Sequence, residues 1–218
     1  MTFSISLAAV LLVSYLAGSI PFGFVIGKCH GVDIRREGSG NIGATNVTRV
    51  IGPWWGKLCF LLDFLKGFLA SGAVILLTGS GTFSDPAGIL PVAAALAVVL
   101  GHIYPVYLKF KGGKGISTAA GAVFPLCPLA VLIALAVWIA LFLTTRYVSV
   151  ASIAAATVLP AAAVILYLFK LPGATDSLPV VVLFILLGAL AILKHISNIK
   201  RLLNGTENRF SKGDGMIK

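Results

Sequence analysis

The sequence has few charged residues, and very few of them are acidic. Only 11% of its 218 residues are charged, and 7 Asp and Glu stand against 17 Lys and Arg. A chain that is 58% hydrophobic, with a mean hydropathy of +1.02, lacks the polar surface that a water-soluble domain needs. The composition therefore excludes a soluble fold and predicts an all-α integral membrane protein.

Signals for several other classes are also missing. The net charge of +10 would suggest nucleic acid in a soluble protein, but here the basic residues lie at the ends of apolar runs, as in cytoplasmic loops, so we expect no nucleic-acid partner. Cys29, Cys59 and Cys127 form no CxxC pair, and we expect neither a disulfide nor a metal. No basic residue precedes the first apolar run, so we interpret that run as a first span and not as a cleaved signal peptide.

The apolar runs define the expected spans, and Pro21 is expected to kink the first run near its end. Because a bilayer core of about 30 Å needs about 20 apolar residues per helix, the chain has no room for a separate soluble domain. The stretch 116–145 could be one long span or two, and Pro125 and Pro128 favour a break that leaves the fourth helix short. We predict one membrane domain over residues 1–218 with seven transmembrane helices, at about 4–26, 53–78, 88–108, 116–125, 128–145, 150–169 and 178–193.

The same break decides the expected orientation. With seven spans, the basic loops and the basic C-terminal tail, which includes Lys200, Lys212 and Lys218, all lie on one side of the membrane. An unbroken stretch would move the tail to the other side, against the positive-inside bias. The N-terminus is therefore expected to be periplasmic, and the basic loops and C-terminus cytoplasmic.

The first basic loop reads GSGNIGATNVTR, from Gly38 to Arg49. Its glycines allow tight turns that present backbone N–H groups, and its neutral polar side chains and one arginine suit an oxyanion. The alternative is a flexible polar turn between spans, and the GxGxxG spacing predicts no dinucleotide site where no βαβ unit exists. The candidate residues are Gly38, Ser39, Gly40, Asn41, Gly43, Thr45, Asn46 and Arg49.

The second basic loop contains FKGGKG, from Phe110 to Gly115. Lys111 and Lys114 flank a Gly-Gly pair, so both lysines can converge on one anion. The loop is not a Walker A motif, because a glycine follows Lys114 where that motif requires Ser or Thr. The alternative is that the lysines only anchor the third span at the headgroups. His102 lies shortly before this loop and could orient it.

Two further groups of polar residues follow. His195, Asn198 and Arg201 recur every three residues, which places them on one helical face, although an amphipathic interfacial tail would show the same spacing. The sequence RYVS, from Arg146 to Ser149, is a weaker element. Within the second apolar run, Asp63 and Lys66 lie at i and i+3. Their spacing favours a neutralising ion pair, and a proton or ion relay is the other interpretation.

These motifs, in this order, resemble the bacterial acyl-phosphate-dependent glycerol-3-phosphate acyltransferases, the PlsY family. The resemblance runs nearly end to end and rests on GSGNIGATNVTR, GHIYPVYLKFKGGKG and HISNIKRLLNGTE, with RYVS between the last two. It implies a bacterial inner-membrane enzyme of seven helices with its site at the cytoplasmic face. The implied reaction moves a fatty acyl group from acyl phosphate to the 1-hydroxyl of glycerol 3-phosphate, giving lysophosphatidic acid and phosphate. The expected partners are these two substrates and membrane lipids, with no cofactor and no metal.

The resemblance also implies roles for individual residues. It assigns catalytic roles to Ser39, Arg49, Lys114 and His195. It assigns substrate binding to Gly40, Asn41, Gly43, Thr45, Asn46, Lys111, Gly112, Gly113, Arg146, Ser149, Asn198, Arg201 and Glu207.

The base that accepts the hydroxyl proton stays open. The sequence has no HxxxxD arrangement, because the fifth positions after its histidines are Arg35, Tyr107 and Lys200. His195 or a substrate phosphate oxygen could take the proton, and we hypothesise the phosphate, with His195 orienting glycerol 3-phosphate. A permease for a phosphorylated solute is the alternative function. It is disfavoured because no internal repeat is visible and the polar motifs lie at helix ends.

Overall fold

The computed structural model describes residues 1–210, so Lys212 and Lys218 of the basic tail lie outside the described residues. Within this range the chain forms α-helices, one 3₁₀ turn and loops, without a β-strand. The predicted all-α class is confirmed. The helices form two compact units, one comprising Met1–Pro125 and the other continuing from Leu126.

The first unit contains six α-helices and a 3₁₀ turn at Val106–Leu108. Pro21 has no N–H to continue the first helix, and the chain breaks there before a short second helix, as the sequence predicted. A further short helix, which the sequence did not predict, lies inside the GSGNIGATNVTR loop. The helices are α1 (Phe3–Ser19), α2 (Phe22–Cys29), α3 (Ala44–Val50), α4 (Pro53–Gly79), α5 (Leu90–Ile103) and α6 (Ile116–Val123).

Small residues allow the helices of the first unit to pack closely. A Cβ at Gly18 of α1 would collide with the Val98 carbonyl of α5, and one at Gly101 of α5 with the Tyr15 carbonyl of α1. Close backbone approach is the usual way in which membrane helices associate, since lipid supplies no hydrophobic drive between them.

The second unit contains α7 (Pro128–Thr145), α8 (Val148–Leu168), α9 (Leu178–Lys194) and α10 (Ile196–Leu203). Pro128 occupies the first turn of α7, where the missing N–H costs nothing. The chain is therefore broken between Val123 and Pro128, where the two prolines predicted it. The axes of α9 and α10 differ by 50° at His195.

Five segments of residues 1–210 are long and apolar enough to cross a membrane, and the bent pair α9 and α10 makes a sixth candidate. The five are Phe3–Cys29, Pro53–Gly79, Leu90–Leu108, Pro128–Thr145 and Val148–Leu168. Helix α6 has 8 residues and a length of about 12 Å, which is much shorter than the five long segments. The protein is a multi-pass membrane protein with five or six candidate spans.

Candidate functional site

The GSGNIGATNVTR loop of the first unit is held in shape by Asn46. This side chain is 1% exposed. Its Nδ2 donates to the carbonyl oxygens of Ile34 at 2.9 Å and Glu37 at 3.1 Å, and its Oδ1 accepts from the Ser39 N–H at 2.8 Å. Asn46, expected to bind substrate, therefore has both polar atoms engaged with the loop backbone.

The glycines of this loop make its turns. Gly38 and Gly40 have φ of 58° and 70°, in the left-handed region that favours glycine. The Gly40 N–H donates to the Glu37 carbonyl at 3.0 Å and the Gly43 N–H to Asn41 Oδ1 at 2.8 Å. These two amides form hydrogen bonds within the loop, and the predicted role of the loop backbone in anion binding stays a prediction.

The side chains of this loop that are predicted to bind an anion differ in exposure. Ser39 is exposed, whereas Thr45 and Arg49 are half-buried on α3. Thr45 and Arg49 lie at i and i+4 on this helix, so they project from the same side of it. The first loop thus offers a hydroxyl and a guanidinium from one short helix.

The FKGGKG loop folds back on the end of α5. The Gly112 N–H donates to the Ile103 carbonyl at 3.2 Å and the Gly113 N–H to the His102 carbonyl at 3.1 Å. A Cβ at Gly112 would collide with the His102 carbonyl and the Pro105 ring, and one at Gly113 with His102 Nε2. The glycines are needed for this packing, and the flanking lysines, Lys111 exposed and Lys114 half-buried, carry the charge.

An apolar cluster joins the two loops of the first unit. Its buried members are Ile26 of α2, Ile34 between α2 and the first loop, Ile42 of that loop, Val47 of α3, Cys59 of α4 and Leu108 of the 3₁₀ turn. Leu108 immediately precedes Lys109 and the FKGGKG sequence. The cluster therefore packs α3 against the 3₁₀ turn that leads into the second basic loop.

A polar cluster of the second unit centres on Glu207. Asn198 Nδ2 donates to Glu207 Oε1 at 2.7 Å, and Arg201 Nε donates to Glu207 Oε2 at 2.7 Å. Burial is the largest single influence on the pKa of the Glu207 carboxyl, and it raises this pKa. The hydrogen bonds from Asn198 and Arg201, together with the nearby Ser149 hydroxyl, outweigh burial and lower the pKa below its ordinary value. Glu207 is ionised at neutral pH and holds both side chains in place.

His195 lies at the bend between α9 and α10 and is 3% exposed. Its Nδ1 lies 2.8 Å from the Ala191 carbonyl oxygen. Since a carbonyl only accepts, Nδ1 carries a proton, and in the neutral form of the ring Nε2 is therefore an acceptor nitrogen. A residue in this state can accept a hydrogen bond from a hydroxyl group.

The RYVS element belongs to the same unit. Arg146 ends α7 with φ of 63°, and its carbonyl accepts from the Phe210 N–H at 3.0 Å. Ser149 is buried, and its hydroxyl lies near Glu207. The RYVS element and the segment after α10 are therefore neighbours, which sequence spacing did not reveal.

The predicted ion pair of α4 is present. Lys66 Nζ lies 2.7 Å from Asp63 Oδ1, and the two side chains are 5% and 3% exposed. Among residues 1–210 no group of three His, Cys, Asp or Glu side chains is arranged to hold a metal ion.

The glycerol-3-phosphate acyltransferase family model matches residues 8–205. The chain is 48% identical to a glycerol-3-phosphate acyltransferase of Aquifex aeolicus, over 92% of this chain and 97% of the relative. It is 45% identical to one of Salinibacter ruber, over 97% of both chains. A solved structure of PlsY, described as an integral membrane glycerol 3-phosphate acyltransferase in its glycerol 3-phosphate form, superposes with a TM-score of 0.83 at 43% identity, over 98% of this chain and 100% of that chain. A second solved structure, of the lysophosphatidic acid form, gives a TM-score of 0.81.

These matches define an integral membrane acyltransferase. The chain belongs to the glycerol-3-phosphate acyltransferase family, and the resemblance found from its motifs is confirmed. The assignment of roles to single residues stays a prediction.

Proposed function

We propose that this chain transfers a fatty acyl group from acyl phosphate to the 1-hydroxyl of glycerol 3-phosphate, releasing lysophosphatidic acid and inorganic phosphate. The observation that carries the proposal is the apolar cluster of the first unit, which contains both Val47 of α3 and Leu108 just before the FKGGKG sequence. From this cluster we infer that Arg49, Lys111 and Lys114 gather on one side of the first unit. Both substrates carry a phosphate group, and such a gathering of cations suits them. The glycerol 3-phosphate and lysophosphatidic acid forms of the solved relative support the choice of acceptor and product.

The chemistry demands little beyond positioning and charge. Acyl phosphate is a mixed anhydride with a good leaving group, so the 1-hydroxyl oxygen can attack the carbonyl carbon directly. The new C–O bond forms, the bond to phosphate breaks, and the hydroxyl proton passes to a phosphate oxygen. In this scheme Arg49 and Lys114 stabilise the tetrahedral oxyanion and the departing phosphate, and Ser39 donates a hydrogen bond to the departing phosphate.

The cluster of the second unit is proposed to bind glycerol 3-phosphate. His195 Nε2 accepts a hydrogen bond from a substrate hydroxyl and thereby orients it, while the proton goes to phosphate. Asn198 and Arg201 are held ready by Glu207, and Ser149 and Arg146 complete the polar set. Among the remaining predicted binding residues, Thr45 and Lys111 are proposed to contact phosphate. The others are proposed to shape the two loops: Gly40, Asn41, Gly43 and Asn46 in the first, and Gly112 and Gly113 in the second.

We further propose seven spans, with the short α6 as the fourth, a periplasmic N-terminus and a cytoplasmic C-terminus. The support is the charge bias, since this arrangement leaves the basic loops on the cytoplasmic side of a bacterial inner membrane. Both expected substrates are charged, which favours a site on the side where they are made. A cysteine-accessibility scan tests the topology, and labelling of Lys170→Cys from the same side as Lys111→Cys would contradict it.

The activity is tested with purified protein in detergent. With acyl phosphate and glycerol 3-phosphate, we expect lysophosphatidic acid and phosphate in equal amounts. Acyl-CoA and acyl carrier protein thioesters serve as competing donors, and turnover with a thioester at the same rate would overturn the choice of donor. Uptake of labelled glycerol 3-phosphate into vesicles without acylation would support the permease instead.

A further inference from the structure

A buried polar network crosses the first unit and ends at the FKGGKG loop. We propose that Lys66, Asp63 and His102 are positioning residues that hold this loop, and with it Lys111 and Lys114, in the geometry that binds phosphate. The kinetic tests of this proposal rest on the proposed acyltransfer, whereas the measurements of thermal midpoint do not.

The network begins at the break between α1 and α2. The chain is interrupted at Pro21, and α2 takes up its own hydrogen bonding with the Val25 N–H donating to the Pro21 carbonyl. Lys66 Nζ donates to the Ile20 carbonyl at 2.8 Å, and so gives this terminal carbonyl a charged donor. Lys66 also lies over the Phe22 ring, 5.4 Å from its centroid. One lysine of α4 therefore secures the start of the helix that leads to the first loop.

Asp63 connects this lysine to α5. Its Oδ1 lies 2.7 Å from Lys66 Nζ and 3.5 Å from His102 Nδ1. His102 Nδ1 also lies 3.2 Å from the Thr118 hydroxyl of α6. Asp63 is 2% exposed and His102 is 5% exposed. Charged side chains at such depth are costly, and they persist where they have a task beyond solubility.

The far side of the His102 ring meets the loop. The ring nitrogen Nε2 is so close to Gly113 that a Cβ there would collide with it. The His102 carbonyl accepts from the Gly113 N–H as well. His102 is thus the residue through which Asp63 contacts the second basic loop.

This loop needs an external support. Lys109 and Phe110 have φ of 51° and 61°, and left-handed conformations cost non-glycine residues roughly 1–3 kcal/mol each. Strained residues keep such conformations only when their surroundings over-determine them. The hydrogen bonds to the end of α5 and the ring of His102 supply that constraint.

The first test separates positioning from stability. The double variant Asp63→Leu/Lys66→Met removes the ion pair without leaving a lone buried charge, a change that is often neutral for folding. We expect the thermal midpoint in detergent to stay within a few degrees of the wild type, while the KM for glycerol 3-phosphate rises and kcat/KM falls roughly 10- to 100-fold, the scale of a 1 Å misplacement. Wild-type kinetics in a stable double variant would overturn the proposal.

The second test does not depend on how that variant folds. Gly113→Ala places a Cβ against the His102 ring, and His102→Asn removes the ring while its amide keeps a donor near the Nδ1 position. We expect Gly113→Ala to lower kcat/KM roughly 10- to 100-fold, and His102→Asn/Gly113→Ala to recover most of the loss. In the double variant His102→Leu/Gly113→Ala, residue 102 offers Asp63 no donor, and kcat/KM should stay low.

Gly112→Ala is the matched control. Its Cβ would collide with the His102 carbonyl and the Pro105 ring, which His102→Asn leaves in place. His102→Asn must therefore rescue Gly113→Ala and not Gly112→Ala, in activity and in thermal midpoint alike. Equal rescue of both glycines, or of neither, would refute the proposal, and an inactive wild type would refute the proposed reaction instead.

Discussion

The two units hold their predicted site residues in different ways. In the first unit the loops are fixed by groups that are not themselves the proposed catalytic residues: Asn46 secures one loop, and the end of α5 secures the other. In the second unit the proposed binding residues hold one another, since Asn198 and Arg201 both bond to Glu207. A change at Asn46 should therefore disturb the shape of one loop, whereas a change at Glu207 disturbs several site groups together.

The largest effect is expected from the first unit's cations. Arg49→Ala removes a guanidinium proposed to stabilise the oxyanion, and loss of one such group costs roughly 10²–10³-fold in kcat. Arg49→Lys keeps the charge but not the planar fork, and should recover only part of the activity. Kinetics with both substrates and a thermal midpoint near that of the wild type check this, with Lys57→Ala on α4 as the control cation. A variant as active as the control would remove Arg49 from the site.

His195→Ala comes next, with an expected loss of roughly 10²-fold in kcat/KM. If a substrate phosphate is the base, the rate should still rise with pH in the variant as it does in the wild type, because phosphate titrates in both. If instead the dependence on pH disappears together with the activity, His195 is the base. His195→Gln, whose amide can approach the Nε2 position, should retain more activity than His195→Ala if the ring serves to orient the substrate.

Glu207→Gln tests the mutual support within the second unit. It removes the charge that holds Arg201, and we expect roughly tenfold lower kcat/KM, equivalent to about 1.4 kcal/mol. Because the folded-state pKa of Glu207 lies below its ordinary value of 4.5, its carboxylate contributes stability that is complete above that pH and declines as the pH falls below it. Thermal midpoints measured from pH 6 to pH 3 should fall less in Glu207→Gln than in the wild type. Parallel curves would show that the ion pair adds nothing to stability.

The sequence predicted some parts of this architecture well, and the reasons are local. Prolines and ends of apolar runs placed the breaks at Pro21 and Pro128, and the i, i+3 spacing predicted the Asp63–Lys66 pair. Helix α3 was missed, since seven residues in a polar loop give no periodic apolar signal.

Long-range contacts could not be predicted from the sequence, because they depend on how separate elements pack. His102 was suspected of orienting the second loop, but its approach to Asp63 depends on how α4 and α5 pack, which no spacing along the chain encodes. Asn46 was predicted to bind substrate because its side chain is polar. Its three bonds to the loop backbone emerge only when residues 34–46 fold together.

The smallest effect is expected where one hydrogen bond is lost at a half-buried position. Asn41 makes a single described bond, to the Gly43 N–H at 2.8 Å, so Asn41→Ala should cost about 1 kcal/mol of folding stability and change kcat/KM less than tenfold. Asn46→Ala in the same loop removes three hydrogen bonds to the loop backbone, one of them buried, and should cost about 2–3 kcal/mol. Denaturation midpoints of the two variants, measured side by side, show whether Asn46 contributes more to stability than Asn41 does. If Asn41→Ala proved as destabilising as Asn46→Ala, the turn closed by Asn41 would stabilise the loop as much as Asn46 does. The contrast between a first unit whose loops are held by other groups and a second unit whose binding residues hold one another would then not apply to this loop.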